Sequence, residues 1–437
     1  MATARQLVAE SLGRAAAVFP NLAPSIFGIS EDACLDPRDA RLAIAIHRNA
    51  LQRWITLEYL LNQHLNQPTH QLEPAMRGVL LSAAAQMVCL ERVPAHAVIN
   101  ESVELARQLV RPGAAGMVNA VLRKLNDDVG AFVQTEAPLN TDRVPLPAGH
   151  KPLAASHLPD PQTEFAEHLC VATSHRIDLV RHWIATFGKR VATQLCLHGI
   201  INPPMIVAVD ESLTPAKRTT PHEQGGFVCW TGTRDQLGKF LAAHGSRRVQ
   251  DPTAASPVAA THALKPQRVL DYCAGLGTKT RQLAALHSTA MIVATDTDDA
   301  RRRTLSDHTA DLPNVQVVEP DASPRTEPDL LVLDVPCSNT GVLARRAEAR
   351  YRFSTRSVRR LVGLQRDIIK ATLSNVVAPG GHVLYCTCSL DPRENEQQAQ
   401  WLATQFNVEF IDQRLTLPAG RDATYHDGGF YALFRTR

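Results

Sequence analysis

The sequence contains no Cys-x-x-Cys pair, although it has 9 cysteines. An odd thiol count without paired spacing in a long chain argues against a disulfide framework and predicts reduced thiols. There is no run of about 18 apolar residues to span a bilayer, and the N-terminus MATARQLVAE lacks the apolar stretch of a signal peptide. These absences predict a cytoplasmic chain. Charge bias is also slight: 46 Lys and Arg against 43 Asp and Glu leave a net charge of +3, compatible with nucleic acid without requiring it. What is present is ordinary globular composition, 44% apolar and 20% charged, over 437 residues. That length predicts about two to four domains.

Residues 1–135 read as an all-helical bundle. Apolar residues recur at helical spacing over 39–66 (Leu42, Ile46, Leu57, Leu60, Leu61), 75–91 and 95–110, and a further helix is expected over about 114–126. Six prolines without periodicity between 136 and 161 predict an extended linker over 136–164. A small mixed subdomain is expected over 165–250. It has a helical run beginning at Arg176, a basic face of Arg176, Arg181, Lys189 and Arg190, and strands at 204–209 and 226–230. From 251 to 437 strands and helices alternate, with strands at 267–271, 291–295, 314–318, 329–334 and 382–388. Late strands are expected at 407–411 and 429–434. This is the pattern of a doubly wound α/β sheet of Rossmann type.

The stretch that organises the last domain is QRVLDYCAGLGTKTR, residues 267–281. A buried strand ends at Asp271, turns through Gly275 and Gly277, and enters a helix near Thr278. Glycines there let backbone approach a nucleotide-like cofactor at the carboxyl end of the sheet. Asp296 ends the next strand, where an acid accepts hydrogen bonds from ribose hydroxyls; the alternative is a helix cap shared with Asp298 and Asp299. Asp321, after the third strand, is placed for an adenine amino group or for a turn. These residues do not separate NAD from S-adenosylmethionine.

Two further strand ends carry thiols. LLVLDVPCSNTG brings Asp334, Pro336 and Cys337 to the top of the fourth strand, and GHVLYCTCSL brings Cys388 to the top of the fifth. Leu384, Cys386 and Cys388 share a face, with Cys386 deeper and Cys388 at the rim. Such thiols are buried small residues, zinc ligands or covalent catalysts. Cys-x-Cys without a second pair disfavours zinc. Covalent catalysis on a pyrimidine has a chemical rationale: carbon 5 of cytosine is a weak nucleophile until a thiolate adds to carbon 6. The reaction then needs an acid at the ring edge and a group assisting elimination. Cys388, Asp334 and Cys337 are available for these parts.

Asp-x-Pro-Cys-Ser-x-Thr-Gly (334–341), Tyr-x-Thr-Cys-Ser (385–389) and Pro392-x-Glu394-Asn395-Glu396 resemble the motifs of the RNA 5-methylcytosine methyltransferases. MRGVLLSAAAQMVCLERVPAHAVINESVELARQ and GMVNAVLRK resemble the NusB-type bundle that precedes this domain in bacterial ribosomal RNA enzymes of the RsmB (Sun/Fmu) type. The resemblance implies that Cys388 adds to carbon 6, Cys337 assists release, Asp334 holds the cytosine edge and Lys279 occupies the family's active-site lysine position. It also implies that Cys273, Ala274, Gly275, Leu276, Gly277, Thr278 and Lys279, with Asp296, Asp321 and Asp334, bind S-adenosylmethionine. The implied partner is bare or early-assembly small-subunit ribosomal RNA, with a monomeric protein, no membrane and no metal. The sequence departs from the family at Gly275, Leu276 and Thr278, where Ala, Pro and Gly are usual. Asn339 replaces a usual glycine, and asparagine tolerates positive φ.

Eight arginines within 345–366 (Arg345, Arg346, Arg350, Arg352, Arg356, Arg359, Arg360 and Arg366) are read as phosphate contacts. The rivals to ribosomal RNA methylation are the same chemistry on transfer RNA, a non-catalytic RNA-binding assembly factor with a degenerate cofactor loop, and an NAD dehydrogenase. The last leaves both rim cysteines without a task.

Overall fold

Short polar caps and N-terminal prolines start the helices of the first third of the chain. Thr3 caps α1 (Ala4–Val18), and Asp36 caps α2 (Pro37–Gln52), which has proline in its first turn. After a break at Arg53 come α3 (Trp54–Asn62), α4 (Pro74–Cys89), α5 (Ala95–Leu109) and α6 (Ala114–Asp128). The computed structural model describes residues 3–23, 35–209, 217–320, 327–376 and 378–437. The chain divides into two units, residues 1–202 with 343–354, and residues 203–342 with 355–437.

The first unit extends beyond the expected bundle. The proline-rich stretch is not an extended linker: β1 (Arg143–Leu146) and β2 (Gly149–Pro152) pair as an antiparallel hairpin. Val144, Leu153 and Leu158 are buried in the helical core. Both strands of a two-stranded ribbon are edges, so they accommodate Pro145 and Pro152. The helices α7 (Phe165–Thr173) and α8 (Ile177–Gly199) also fall in this unit, and Val171 and Ala172 are part of its core. The expected subdomain over 165–250 therefore divides near residue 202. Gly188, at φ +80, interrupts α8, which the sequence pattern presents as continuous.

The second unit begins with β3 (Met205–Ala208), β4 (Thr219–Pro221), β5 (Phe227–Trp230), α9 (Arg234–Ala242) and β6 (Arg248–Val249). Its four strands form a sheet in the order β4-β5-β3-β6. Then follow α10 (Pro252–Ala259), β7 (Arg268–Asp271), α11 (Thr278–Leu286), β8 (Met291–Ala294), α12 (Asp299–Thr309), β9 (Val315–Val317) and β10 (Leu330–Asp334). Residues 343–354, with the short helix α13 (Ala349–Arg352), belong to the first unit. The chain continues through α14 (Thr355–Val376), β11 (His382–Thr387), α15 (Glu396–Phe406), β12 (Glu409–Thr416) and β13 (Gly429–Arg435).

These strands make a seven-stranded sheet, β12-β13-β11-β10-β7-β8-β9. Neighbours among β7 to β11 run parallel, whereas β13 is antiparallel to both β11 and β12. Period-2 side-chain direction splits its core between two faces. Leu331 and Leu333 join Ile369 of α14 and Leu402 of α15 on one face. Leu330 and Val332 join Val258 of α10 and Leu283 of α11 on the other. Each fully buried Leu contributes roughly 1.5–3 kcal/mol. The order reverses between β7 and β10, so their carboxyl ends border the crevice where open α/β sheets bind ligands.

Candidate active site

Strand β7 delivers Asp271 to this crevice with 0% exposure. Thr280 Oγ1 donates to its Oδ2 at 2.7 Å, but Oδ1 is buried without a hydrogen-bond partner among the described residues. Burial pushes this carboxyl up to about 7, opposed by the Thr280 hydrogen bond. After it the chain turns through Gly275 at φ +58 and Gly277 at φ +88. The two glycines have different reasons. A Cβ on Gly277 would stand 2.7 Å from Leu305 Cδ1, whereas one on Gly275 would meet nothing within 4 Å among the described residues. The open side of Gly275 and the orphaned oxygen of Asp271 fit a ligand that brings a polar hydrogen to the loop.

Cys273 is half-buried, and burial followed by the charges of nearby aspartates pushes its thiol far above the ordinary range. Ala274 is buried, while Leu276 and Thr278 are exposed. Thr278 is the first residue of α11, so its side chain does not fill the turn. Asp296 takes the Gly275 amide at 3.0 Å and the Asp298 amide at 2.9 Å, so it braces the loop from the end of β8. Asp298, in turn, caps α12. Asp321 lies outside the described residues.

Lys279, in the first turn of α11, places Nζ 2.6 Å from Asp334 Oδ2. Burial opposes the ammonium charge, but the Asp334 carboxylate outweighs it and holds Lys279 above the usual lysine range. Asp334 Oδ1 lies 3.6 Å from the sulfur of Cys386, which is 1% exposed.

The two rim thiols converge. Cys337 follows β10, Cys388 follows β11, and their sulfurs are 3.0 Å apart with both groups half-buried and free. The hydrogen bond with Cys388 and then burial hold the Cys337 thiol well above its ordinary range. Asn339, at φ +60, donates to the Cys337 carbonyl at 2.9 Å and accepts from the Cys388 thiol at 3.2 Å. The asparagine thus keeps the turn and adds an amide to the thiol pair.

The groups that tie the two thiol loops together have no part assigned to them by the sequence pattern. Glu394, 0% exposed, accepts from the Ser338 amide at 3.0 Å, Ser389 Oγ at 2.6 Å and Gln365 Nε2 at 3.1 Å. Its place in the Pro-x-Glu-Asn-Glu motif is the available signal. Gly341 donates to the Cys388 carbonyl at 2.9 Å, and a Cβ there would lie 2.5 Å from the Gly428 carbonyl oxygen. Only glycine fits that approach.

The arginine cluster is not one phosphate surface. Arg350 is 0% exposed and donates to the carbonyls of Gln52, Thr173, Gly199 and Leu343 in the first unit. Those carbonyls close the loop and helix ends around it, so it serves packing rather than phosphate. Arg366 stacks over Trp401 and is bonded to Gln398 at 3.0 Å. Arg356, Arg359 and Arg360 of α14 remain exposed, as do Arg345 and Arg346.

Comparison with known proteins bears on the family and the fold. The family model described as 16S rRNA methyltransferase RsmB/F matches residues 261–427, and the NusB family model matches residues 4–127. The ribosomal RNA small subunit methyltransferase B of Xanthomonas campestris is 30% identical over 424 residues, covering 91% of this chain and 89% of that protein. Its counterpart in Vibrio cholerae is 28% identical over 377 residues, covering 83% and 81%. The crystal structure of PH0851 shares the fold over 99% of this chain and 98% of its own, with a TM-score of 0.70 at 17% identity. A methyltransferase homolog protein from Pyrococcus horikoshii matches 63% of this chain and 100% of its own, with a TM-score of 0.51 at 21% identity. A NusB-like unit, a Rossmann-like methyltransferase sheet and similarity sustained along nearly the whole length lead to one conclusion: the chain belongs to the RsmB/F family of 16S rRNA methyltransferases.

Proposed function

We propose that the chain methylates carbon 5 of a cytosine in small-subunit ribosomal RNA, with S-adenosylmethionine as donor and Cys388 as nucleophile. The observation that carries this reading is the 3.0 Å approach of the Cys337 and Cys388 sulfurs. Two thiols at adjacent strand ends supply both halves of an addition and elimination at one ring.

S-adenosylmethionine supplies an electrophilic methyl group on a sulfonium sulfur. The residues proposed to hold it are the 273–279 loop, Asp271 Oδ1 for its ammonium, Asp296 for its ribose hydroxyls and Asp321 for its adenine. Asp334 hydrogen-bonds the cytosine edge, and Lys279 holds that carboxyl group in place.

The Cys388 thiolate forms a bond to carbon 6, and the ring electrons move to carbon 5. With S-adenosylmethionine bound, carbon 5 would take the methyl group from its sulfonium sulfur, which would leave as the neutral thioether. A base then removes the carbon 5 proton, the ring double bond re-forms, and the Cys388 sulfur departs with its electron pair. Cys337, held in its thiol form, donates a hydrogen bond to that departing thiolate. The exposed Arg356, Arg359 and Arg360 contact RNA phosphates.

Single-turnover assays with methyl-labelled S-adenosylmethionine, run in parallel on bare small-subunit RNA and on transfer RNA, test the reading. The expected result is label on carbon 5 of a cytosine; label confined to transfer RNA, or none in either RNA, contradicts it.

A further inference from the structure

A cleft of about 430 Å³ opens in the first unit, and none of its lining residues belongs to the candidate active site. One face of α2 forms its floor, with Arg41, Ile44 and Arg48 at i, i+3 and i+7. Just past the end of that helix, Arg53 forms part of the wall and is 2% exposed. Arg53 Nη2 donates to the carbonyls of Pro145 at 3.0 Å and Ala172 at 2.8 Å. Its Nε and Nη1 are buried and have no hydrogen-bond partner among the described residues.

A buried guanidinium ordinarily faces a carboxylate, because taking an uncompensated charge out of water is costly. Here the ionisable groups that act on Arg53 are Cys89, Arg350 and Tyr351. Burial pushes the Cys89 thiol up to about 11 and the Tyr351 phenol up to about 12, so both are neutral at pH 7. Burial, and secondarily the charge of Arg350, brings the guanidinium down to about 10. Among the described residues the cleft wall has one carboxylate, Glu91, against three arginines, and Glu91 lies close enough to Lys151 to act on its charge. The rest of the wall includes Ile44, 47% exposed, and the half-buried ring of Phe132.

We propose that this cleft binds a phosphate ester, with its oxygens on Arg41, Arg48 and the unpartnered N–H groups of Arg53 and its organic part against Ile44 and Phe132. The planar N–H fork of arginine matches phosphate oxygens, and the volume suits a nucleotide-sized group. A nucleotide within an RNA chain and a free nucleotide present the same chemistry. Nothing in the cleft depends on methyl transfer, so its ligand can be sought whatever reaction the thiols perform.

The test uses the full-length protein and an Arg41→Gln/Arg48→Gln double variant, both positions being exposed, with an unchanged melting temperature as the folding control. The probes are cytidine 5′-monophosphate and cytidine by calorimetry, and a short single-stranded RNA of mixed sequence by fluorescence anisotropy at several salt concentrations. The double variant is expected to bind at least one phosphate-bearing probe about 10-fold more weakly, with cytidine binding unchanged. Loss on RNA, with a salt slope shallower by about 1–2, assigns the cleft to RNA; loss on the monophosphate alone assigns it to a free nucleotide. An Arg53→Lys variant, which keeps the charge and loses the fork, is expected to weaken the same probe. Wild-type affinity of the double variant for both phosphate-bearing probes overturns the proposal, as does equal weakening of cytidine.

Discussion

The side-chain amide of Asn339 accepts from the Cys388 thiol at 3.2 Å and donates to the Cys337 carbonyl at 2.9 Å, so one residue braces both cysteine loops. Its backbone is left-handed, at φ +60. Alanine there takes on the strain of that conformation, roughly 1–2 kcal/mol, whereas glycine does not. Both variants lose the two amide hydrogen bonds, so thermal denaturation should show both destabilised, Asn339→Ala by roughly 1–2 kcal/mol more than Asn339→Gly.

Cys337 is expected to act after methyl transfer, when the Cys388 sulfur leaves carbon 6. A Cys337→Ala variant should still form the covalent bond and then release RNA slowly. A protein–RNA band that survives denaturing electrophoresis, stronger than in wild type, is the expected outcome.

Asp271 gives the protein a pH dependence through its burial. Its folded-state value, raised to about 7 from 3.8 chiefly by burial, means the folded protein holds a proton that the unfolded chain gives up. Its contribution is most favourable below pH ~4, falls by up to ~1.4 kcal/mol per pH unit as pH rises toward 7, and is constant above that. Denaturation of ligand-free Asp271→Asn across this range should show a shallower decline than wild type.

Glu394 collects donors from both thiol loops and from Gln365 of α14. Truncation to alanine leaves the Ser338 amide and one Gln365 N–H without this acceptor, at roughly 1–3 kcal/mol for each polar group left unsatisfied, while Ser389 Oγ can turn to Ser338 or Thr340. Urea denaturation should place Glu394→Ala roughly 2–4 kcal/mol below wild type, and methyl transfer should slow as the sulfurs lose their common support.

The arginines of 345–366 should separate by environment. Replacing Arg359 and Arg360, which are exposed, should weaken RNA binding with stability unchanged. The salt slope should become shallower by up to about 1 for each phosphate that is no longer neutralised. Arg350→Met should instead remove a donor from four carbonyl groups, of which that of Gly199 keeps the Gln52 side-chain amide at 3.2 Å, and lower the melting temperature.

Features written in local chemistry are legible from the residues alone. The strand-turn-helix at 267–281, the deep position of Cys386 against the rim position of Cys388, and the turn-forming role of Asn339 follow from side-chain period and φ preference. Tertiary context decides the rest. Six prolines hide a hairpin because Val144 and Leu153 between them are buried only once the helices are in place. Arg350 looks like its exposed neighbours in sequence, and only the carbonyls gathered around it show its different use. Glu394 lies 56 residues from Ser338, a pairing that no local pattern encodes. The break at Arg53 between α2 and α3 is equally silent, since apolar periodicity runs across it.

The central claim is that Cys388 is the nucleophile. Its most direct test is transfer of labelled methyl to bare small-subunit RNA by wild type and by Cys388→Ala, with RNA binding measured in parallel. The account predicts that the variant binds RNA and transfers nothing; transfer at the wild-type rate would contradict it.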